Sequence, residues 1–185
     1  MARRLVNLPN ALSMARIVVM PLLAIFIEKQ MGLAALSVLI AAGITDWLDG
    51  WLARKMKLET AFGKLLDPVA DKIFLCVAVI YLMHHPEAKL GPGLATLLLA
   101  REFLVTGLRA MAASEGLVIA AGQTGKIKTV AQFIGLGALM VTQELAVVQA
   151  FWVGHICLWL SVVLSYISMF EYIYKVYVGL KDKLS

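Results

Sequence analysis

The sequence predicts an all-α integral membrane protein with six transmembrane helices and a short N-terminal interfacial helix. Three observations carry this. Of its 185 residues, 61% are apolar and 16% are charged, whereas a soluble domain has roughly 45–50% and about 25%. The mean hydropathy is +0.85. The apolar residues also gather into six runs, and a spanning helix needs only roughly 20 residues. This composition excludes a soluble globular domain, a disordered chain and a disulfide scaffold. Residues 1–185 therefore read as one transmembrane domain, with its function in the helices and their short connections.

The elements follow in order. Arg3 and Arg4 precede an apolar stretch, and residues 3–8 suit a short helix lying at the interface. Pro9-Asn10 then separates the basic pair from the first run, and no convincing small-residue cleavage site follows. That run reads as a retained helix, not a signal peptide. The six segments cover about 11–28, 31–54, 66–84, 93–114, 126–142 and 146–177. The sixth is long enough to continue past the bilayer. There is no internal repeat and no low-complexity linker.

The cations set the orientation. With a cytoplasmic N-terminus, the outer connections hold only Lys29 and Lys89 of the 17 lysines and arginines. Positive charge concentrates on the cytoplasmic side of membrane proteins, so both termini are expected there. The net charge of +5 then reflects loops facing anionic lipid rather than a nucleic-acid partner. Cys76 and Cys157 lie in apolar runs and read as two buried thiols.

The acids are not scattered. The chain has five aspartates, and Asp46, Asp49, Asp67 and Asp71 fall within 26 residues. The first two close helix two, and the others open helix three. Residues at i, i+3 and i, i+4 share a helical face, so two adjoining helix ends can aim four carboxylates at one point. A carboxylate inside the bilayer costs roughly 2.5–3.5 kcal/mol, less near the interface. Converging like charges add repulsion. Mg²⁺ or Mn²⁺ are the natural compensating ions, and two of them suit phosphoryl chemistry. The blander possibility is a set of interfacial salt bridges to Arg54, Lys64 and Lys72. Gly50 and Ala53 lie on or beside the Asp46–Asp49 stripe and let a ligand or a helix approach. Gly63 is placed in the connecting loop. Pro68 suits the first turn of helix three or a kink, and the sequence leaves both open.

Residues 46–71 read Asp46-x2-Asp49-Gly50-x2-Ala53-Arg54-x8-Gly63-x3-Asp67-x3-Asp71. This resembles the signature of the CDP-alcohol phosphotransferase family at every fixed position. The resemblance implies that family's six-helix fold, usually as a homodimer. It implies attack of a hydroxyl on a CDP-linked lipid, with CMP leaving. By position, Asp46, Asp49, Asp67 and Asp71 resemble the metal ligands, with Mg²⁺ or Mn²⁺ as cofactor, and Asp71 resembles the general base. Asn10, Ser13, Gly50, Ala53, Arg54 and Gly63 resemble CDP-contacting positions.

Three further stretches bear on the acceptor: Asn7 to Arg16, Arg101-Glu102 to Arg109, and Gly125-Lys126-Ile127-Lys128-Thr129. They resemble the bacterial members that join CDP-diacylglycerol to glycerol 3-phosphate, and so imply those substrates and the bacterial cytoplasmic membrane. A physical reason agrees. An arginine inside a spanning helix is costly unless it faces a polar cavity or a partner. Arg101, Arg109 and Lys126 can form a basic pocket for a phosphate dianion beside the carboxylates. Glu102 points some 100° away from Arg101 along the helix, so pairing between these neighbours is expected to be weak. Lys128 suits either the pocket or a lipid-facing position.

Other polar and aromatic residues have quieter readings. His84 and His85 are expected to be solvated in an outer loop. His155 reads as a buried, hydrogen-bonded side chain. Trp152, Trp159, Tyr166, Tyr172, Tyr174 and Tyr177 read as interface belt and as lipid or dimer contacts. Trp47 and Trp51 anchor helix two at the interface. The rival readings are the same chemistry on inositol phosphate, phosphatidylglycerol, serine or another alcohol, and, more distantly, a divalent-cation transporter.

Overall fold

Six α-helices account for nearly all of the computed structural model, which describes residues 8–56, 61–117, 123–145 and 147–184. They are α1 (Leu8–Glu28), α2 (Gly32–Met56), α3 (Ala61–Met83), α4 (Pro92–Ser114), α5 (Gln123–Leu145) and α6 (Val148–Leu184). Each overlaps one predicted run. Hydrocarbon offers a backbone no water to bond, and a helix satisfies its N–H and C=O groups within the segment. Pro92 opens α4, where its missing N–H costs nothing.

Two boundaries move. α3 begins at Ala61, so Gly63 lies in its first turn and not in a connecting loop. Pro68 falls inside α3, beyond that turn. α6 has 37 residues, a length of about 55 Å at 1.5 Å per residue. It therefore outruns a hydrocarbon core of about 30 Å. Residues 3–7 of the expected interfacial helix lie outside the described residues, and Leu8 already belongs to α1.

α1 packs against both α2 and α3, α5 runs along α6, α2 leans on α5, and α4 touches α3 and α6. Leu23, Ile27, Leu39, Leu82, Leu139 and Leu158 are fully buried at these contacts. The α5–α6 pair is the closest fitted. A Cβ on Gly135 would lie 2.7 Å from the Leu158 side chain, and one on Gly154 would lie 2.6 Å from Leu139. Small residues of this kind let membrane helices approach backbone to backbone. The two contacts also define an antiparallel register. Continued toward the N-terminus of α5, it sets Gln132 opposite Ser161 and Lys128 opposite Ser165.

The outside is as apolar as the inside. Val18, Ile44, Trp152, Ile156 and Phe170 are all exposed, as a surface facing lipid requires. Among the described residues, three stretches are long and apolar enough to cross a membrane: Ala11–Glu28, Gly32–Leu52 and Val148–Gly179. Ile127–Thr142 is a shorter apolar stretch.

Several side chains depart from expectation. His84 is exposed, but His85 is buried. Tyr172 packs against Ala112 and Val176 instead of facing lipid. Tyr166 is half-buried, its hydroxyl 3.5 Å from the Leu97 carbonyl. Trp152, Trp159, Tyr174 and Tyr177 do face outward. His155 donates to the Ala88 carbonyl at 3.0 Å. Cys76 and Cys157 are free thiols, half-buried rather than fully so.

Candidate active site

Three of the aspartates meet over α1, which packs between α2 and α3. Asp46 and Asp49 lie one turn apart on α2, and Asp71 faces them from α3. Their common partner is Arg16 of α1. Its Nη1 donates to Asp46 Oδ1 and to Asp71 Oδ1, each at 2.6 Å. Its Nη2 donates to Asp49 Oδ2 at 2.6 Å. Ser13, one turn earlier on α1, donates to the same Asp49 oxygen at 3.2 Å.

Burial grades the three acids. The Arg16 and Asp49 side chains are 3% and 4% exposed, whereas Asp46 and Asp71 are 45% and 52% exposed. Asp49 is therefore the floor of the site, and Asp46 and Asp71 form its mouth. Two carboxylates share one guanidinium nitrogen, so their oxygens are no farther apart than two 2.6 Å contacts laid end to end.

This donor set fits Mg²⁺ or Mn²⁺ in its chemistry: hard oxygens on two neighbouring helices, open on one side. The described carboxylates converge on the guanidinium, however, and no three metal-ligating side chains among the described residues form a cage around a common point. The Asp67 side chain lies outside the described residues. On the α3 backbone it sits one turn before Asp71.

A second charged group lies on α4 and α5. Arg101 is buried, donating from Nε to the Ser165 carbonyl at 3.1 Å and from Nη1 to Glu102 Oε1 at 3.0 Å. Lys128, also buried, pairs with the same Glu102 oxygen. Two expectations are thereby corrected. Arg101 does pair with its sequence neighbour: its guanidinium is anchored on α6 at the Ser165 carbonyl, and the Glu102 carboxylate is held beside it by a second cation, Lys128 of α5. Lys128 faces inward and not lipid, because its ammonium is drawn to the Glu102 carboxylate of α4. Arg109 is exposed and lies 5.8 Å from the Tyr172 ring, within electrostatic reach of Arg101 and Lys128. The Lys126 side chain is outside the described residues.

Lys72 connects the two groups. It follows Asp71 on α3 and acts electrostatically on both Asp71 and Glu102. The charges are complementary. Three described carboxylates share the Arg16 guanidinium. Arg101 and Lys128 share the Glu102 carboxylate, and Arg109 adds a further cation close to both.

Of the expected nucleotide contacts, Ser13 lies on the aspartate floor, Gly50 is half-buried next to Asp49, and Gly63 is buried in the first turn of α3. Asn10, Ala53 and Arg54 lie on α1 and α2, with side chains outside the described residues. Sequence reasoning passed over Arg16 and Glu102 as site residues. The available signals were an arginine one turn after Ser13 on the same face, and a glutamate in the middle of an apolar helix. Trp47 and Trp51 stack on the exposed side of α2 with centroids 6.5 Å apart. Lys55 sits 4.4 Å over the Trp51 ring.

The fold and site define a helical membrane protein whose few charges are gathered into an acidic centre and an adjoining basic one, suited to transfer of a phosphate ester. The chain belongs to the CDP-alcohol phosphatidyltransferase family, whose model matches residues 6–167. It is 37% identical to the CDP-diacylglycerol--glycerol-3-phosphate 3-phosphatidyltransferase of Bacillus subtilis, over 95% of this chain and 97% of that one. The Rickettsia felis protein of the same name is 38% identical, over 90% and 93%. An Arabidopsis thaliana relative, named as the chloroplastic/mitochondrial form 1, is 36% identical over 94% of this chain and 64% of its own length. The chain is thus a transferase of this family.

Proposed function

We propose that the chain transfers the phosphatidyl group of CDP-diacylglycerol to glycerol 3-phosphate, giving phosphatidylglycerol phosphate and CMP. The observation that carries this is the charge pairing of the two centres. A cluster of carboxylates suits a divalent cation, and an adjoining cluster of cations suits a phosphate dianion. Glycerol 3-phosphate has such a phosphate together with free hydroxyls, whereas serine or choline would not need the cations. The names of the relatives support the same acceptor.

In this reading the acyl chains stay in the bilayer and the diphosphate lies over Asp46 and Asp71. Arg101, Arg109, Lys126 and Lys128 hold the acceptor phosphate, with arginine forks making bidentate contacts. Asp71, half exposed at the mouth, takes the proton of the attacking hydroxyl. Asp46, Asp49, Asp67 and Asp71 would hold Mg²⁺ or Mn²⁺, two ions per site. When bound, such ions supply positive charge against the diphosphate and the departing CMP. All six helices span the bacterial cytoplasmic membrane, with both termini and the site toward the cytoplasm, and the enzyme works as a homodimer.

The test is CMP release by the purified chain with CDP-diacylglycerol, Mg²⁺ or Mn²⁺, and a panel of acceptors. Glycerol 3-phosphate is expected to drive release. Release that requires serine or inositol phosphate and ignores glycerol 3-phosphate overturns the acceptor.

A further inference from the structure

We propose that Arg16 is a positioning residue that serves as the built-in counter-cation of the aspartate centre. It holds Asp46, Asp49 and Asp71 in register before a divalent cation binds, and it gives way when one does. This rests on the reading above that the carboxylates take a divalent cation.

The geometry makes guanidinium and metal alternatives. Arg16 reaches all three described carboxylates at 2.6 Å, and it does so from α1, outside the 46–71 signature. Charge-assisted contacts of this length are the strong kind. They tie α1 to α2 and α3, from which the three acids converge. A divalent ion held by Asp46 and Asp71 would need the carboxylate oxygens that Arg16 now engages. Nη1 already lies between those two oxygens. Two positive centres cannot occupy that gap together.

The guanidinium is also incompletely satisfied where it is. Arg16 is 4% exposed, and its Nε has no hydrogen-bond partner. A buried donor without an acceptor is costly to keep, so the fork is held by the carboxylates' charge and not by a complete set of bonds. Supplying that charge from elsewhere releases it. A released fork lies beside the site of the diphosphate, whose oxygens suit bidentate contact.

The test measures Mn²⁺ binding, by the resonance of free Mn²⁺, on the purified full chain without lipid substrate. It compares wild type with Arg16→Gln and Arg16→Lys. Removing a competing occupant tightens apparent affinity, so Arg16→Gln is expected to bind Mn²⁺ about tenfold more tightly. Its melting temperature in EDTA is expected to fall, and Mn²⁺ to restore it. A residue with only a structural role would weaken both metal binding and stability. Arg16→Lys keeps the charge but loses the fork, so its affinity is expected to move toward that of Arg16→Gln. Unchanged or weaker Mn²⁺ binding in Arg16→Gln overturns the proposal.

Should the variants fail to fold, guanidinium ¹⁵N signals of the wild type answer the same question. The Arg16 resonance is expected to shift on titration with Mg²⁺, and a resonance that stays put overturns the proposal. CMP release by the wild type is scored separately. Tighter metal binding in Arg16→Gln with no release on glycerol 3-phosphate defeats the acceptor reading alone. Normal release with no gain in metal affinity defeats the Arg16 inference alone.

Discussion

Arg16 and Asp49 form a buried ion pair across α1 and α2, with Nη2 2.6 Å from Oδ2 and both side chains almost wholly withdrawn from solvent. Asp46 and Asp71 bind the same guanidinium but stand half in the open. One cation thus joins a buried acid to two exposed ones.

Asp49→Ala is expected to destabilise the fold more than Asp46→Ala. Removing one member of a buried pair typically costs about 3–5 kcal/mol, whereas an exposed pair contributes about 0–1 kcal/mol. Arg16 keeps two other carboxylates, so the Asp49 cost should fall at the lower end. Unfolding of both variants in one detergent checks the order. Equal losses would remove the distinction between floor and mouth.

Asp71→Asn is expected to stop turnover while CDP-diacylglycerol still binds. The amide keeps the shape but cannot take a proton, and loss of a general base costs about 10²–10⁴-fold. CMP release and lipid-substrate binding, measured on the same preparation, decide this. Retained turnover would reject Asp71 as the base.

Arg109→Ala and Arg101→Ala are expected to differ. Arg109 is exposed against Tyr172, so its loss should raise the glycerol 3-phosphate KM about tenfold and leave folding nearly intact. Arg101 is buried between the Ser165 carbonyl and Glu102, so its loss should also lower the melting temperature. If Arg109→Ala raises only the CDP-diacylglycerol KM, the acceptor pocket is misplaced.

Gly154→Val is expected to cost about 1–3 kcal/mol by overpacking. Even a Cβ there would meet Leu139 at 2.6 Å and the Gly135 carbonyl at 3.2 Å. Forcing α5 from α6 also moves Lys128 relative to Arg101, which is anchored on α6 at Ser165, so acceptor KM should rise together with the loss of stability. A stable variant with unchanged KM would show that the α5–α6 register does not set the basic centre.

Much of the molecule is legible in one dimension. Apolar runs mark the helices because bilayer thickness demands a minimum length. The i, i+3 and i, i+4 spacing of the aspartates places them on facing stripes, because helical periodicity is local. The start of α3 was less legible. Gly63 and Lys64 resemble a loop by composition, yet they continue the helix.

The sequence by itself determined that this is a membrane chain, where its helices run and which acids share a face. Each of these depends on neighbours within a turn or on a run of one polarity. The tertiary structure alone decided what those acids meet. Arg16 lies 30 residues from Asp46 and 55 from Asp71, and Lys128 lies 26 from Glu102. Which face of α1 turns toward α2 and α3, and which face of α5 turns toward α4, depends on packing between helices. No spacing within one helix encodes that choice, so the counter-charges became visible only when the helices were assembled.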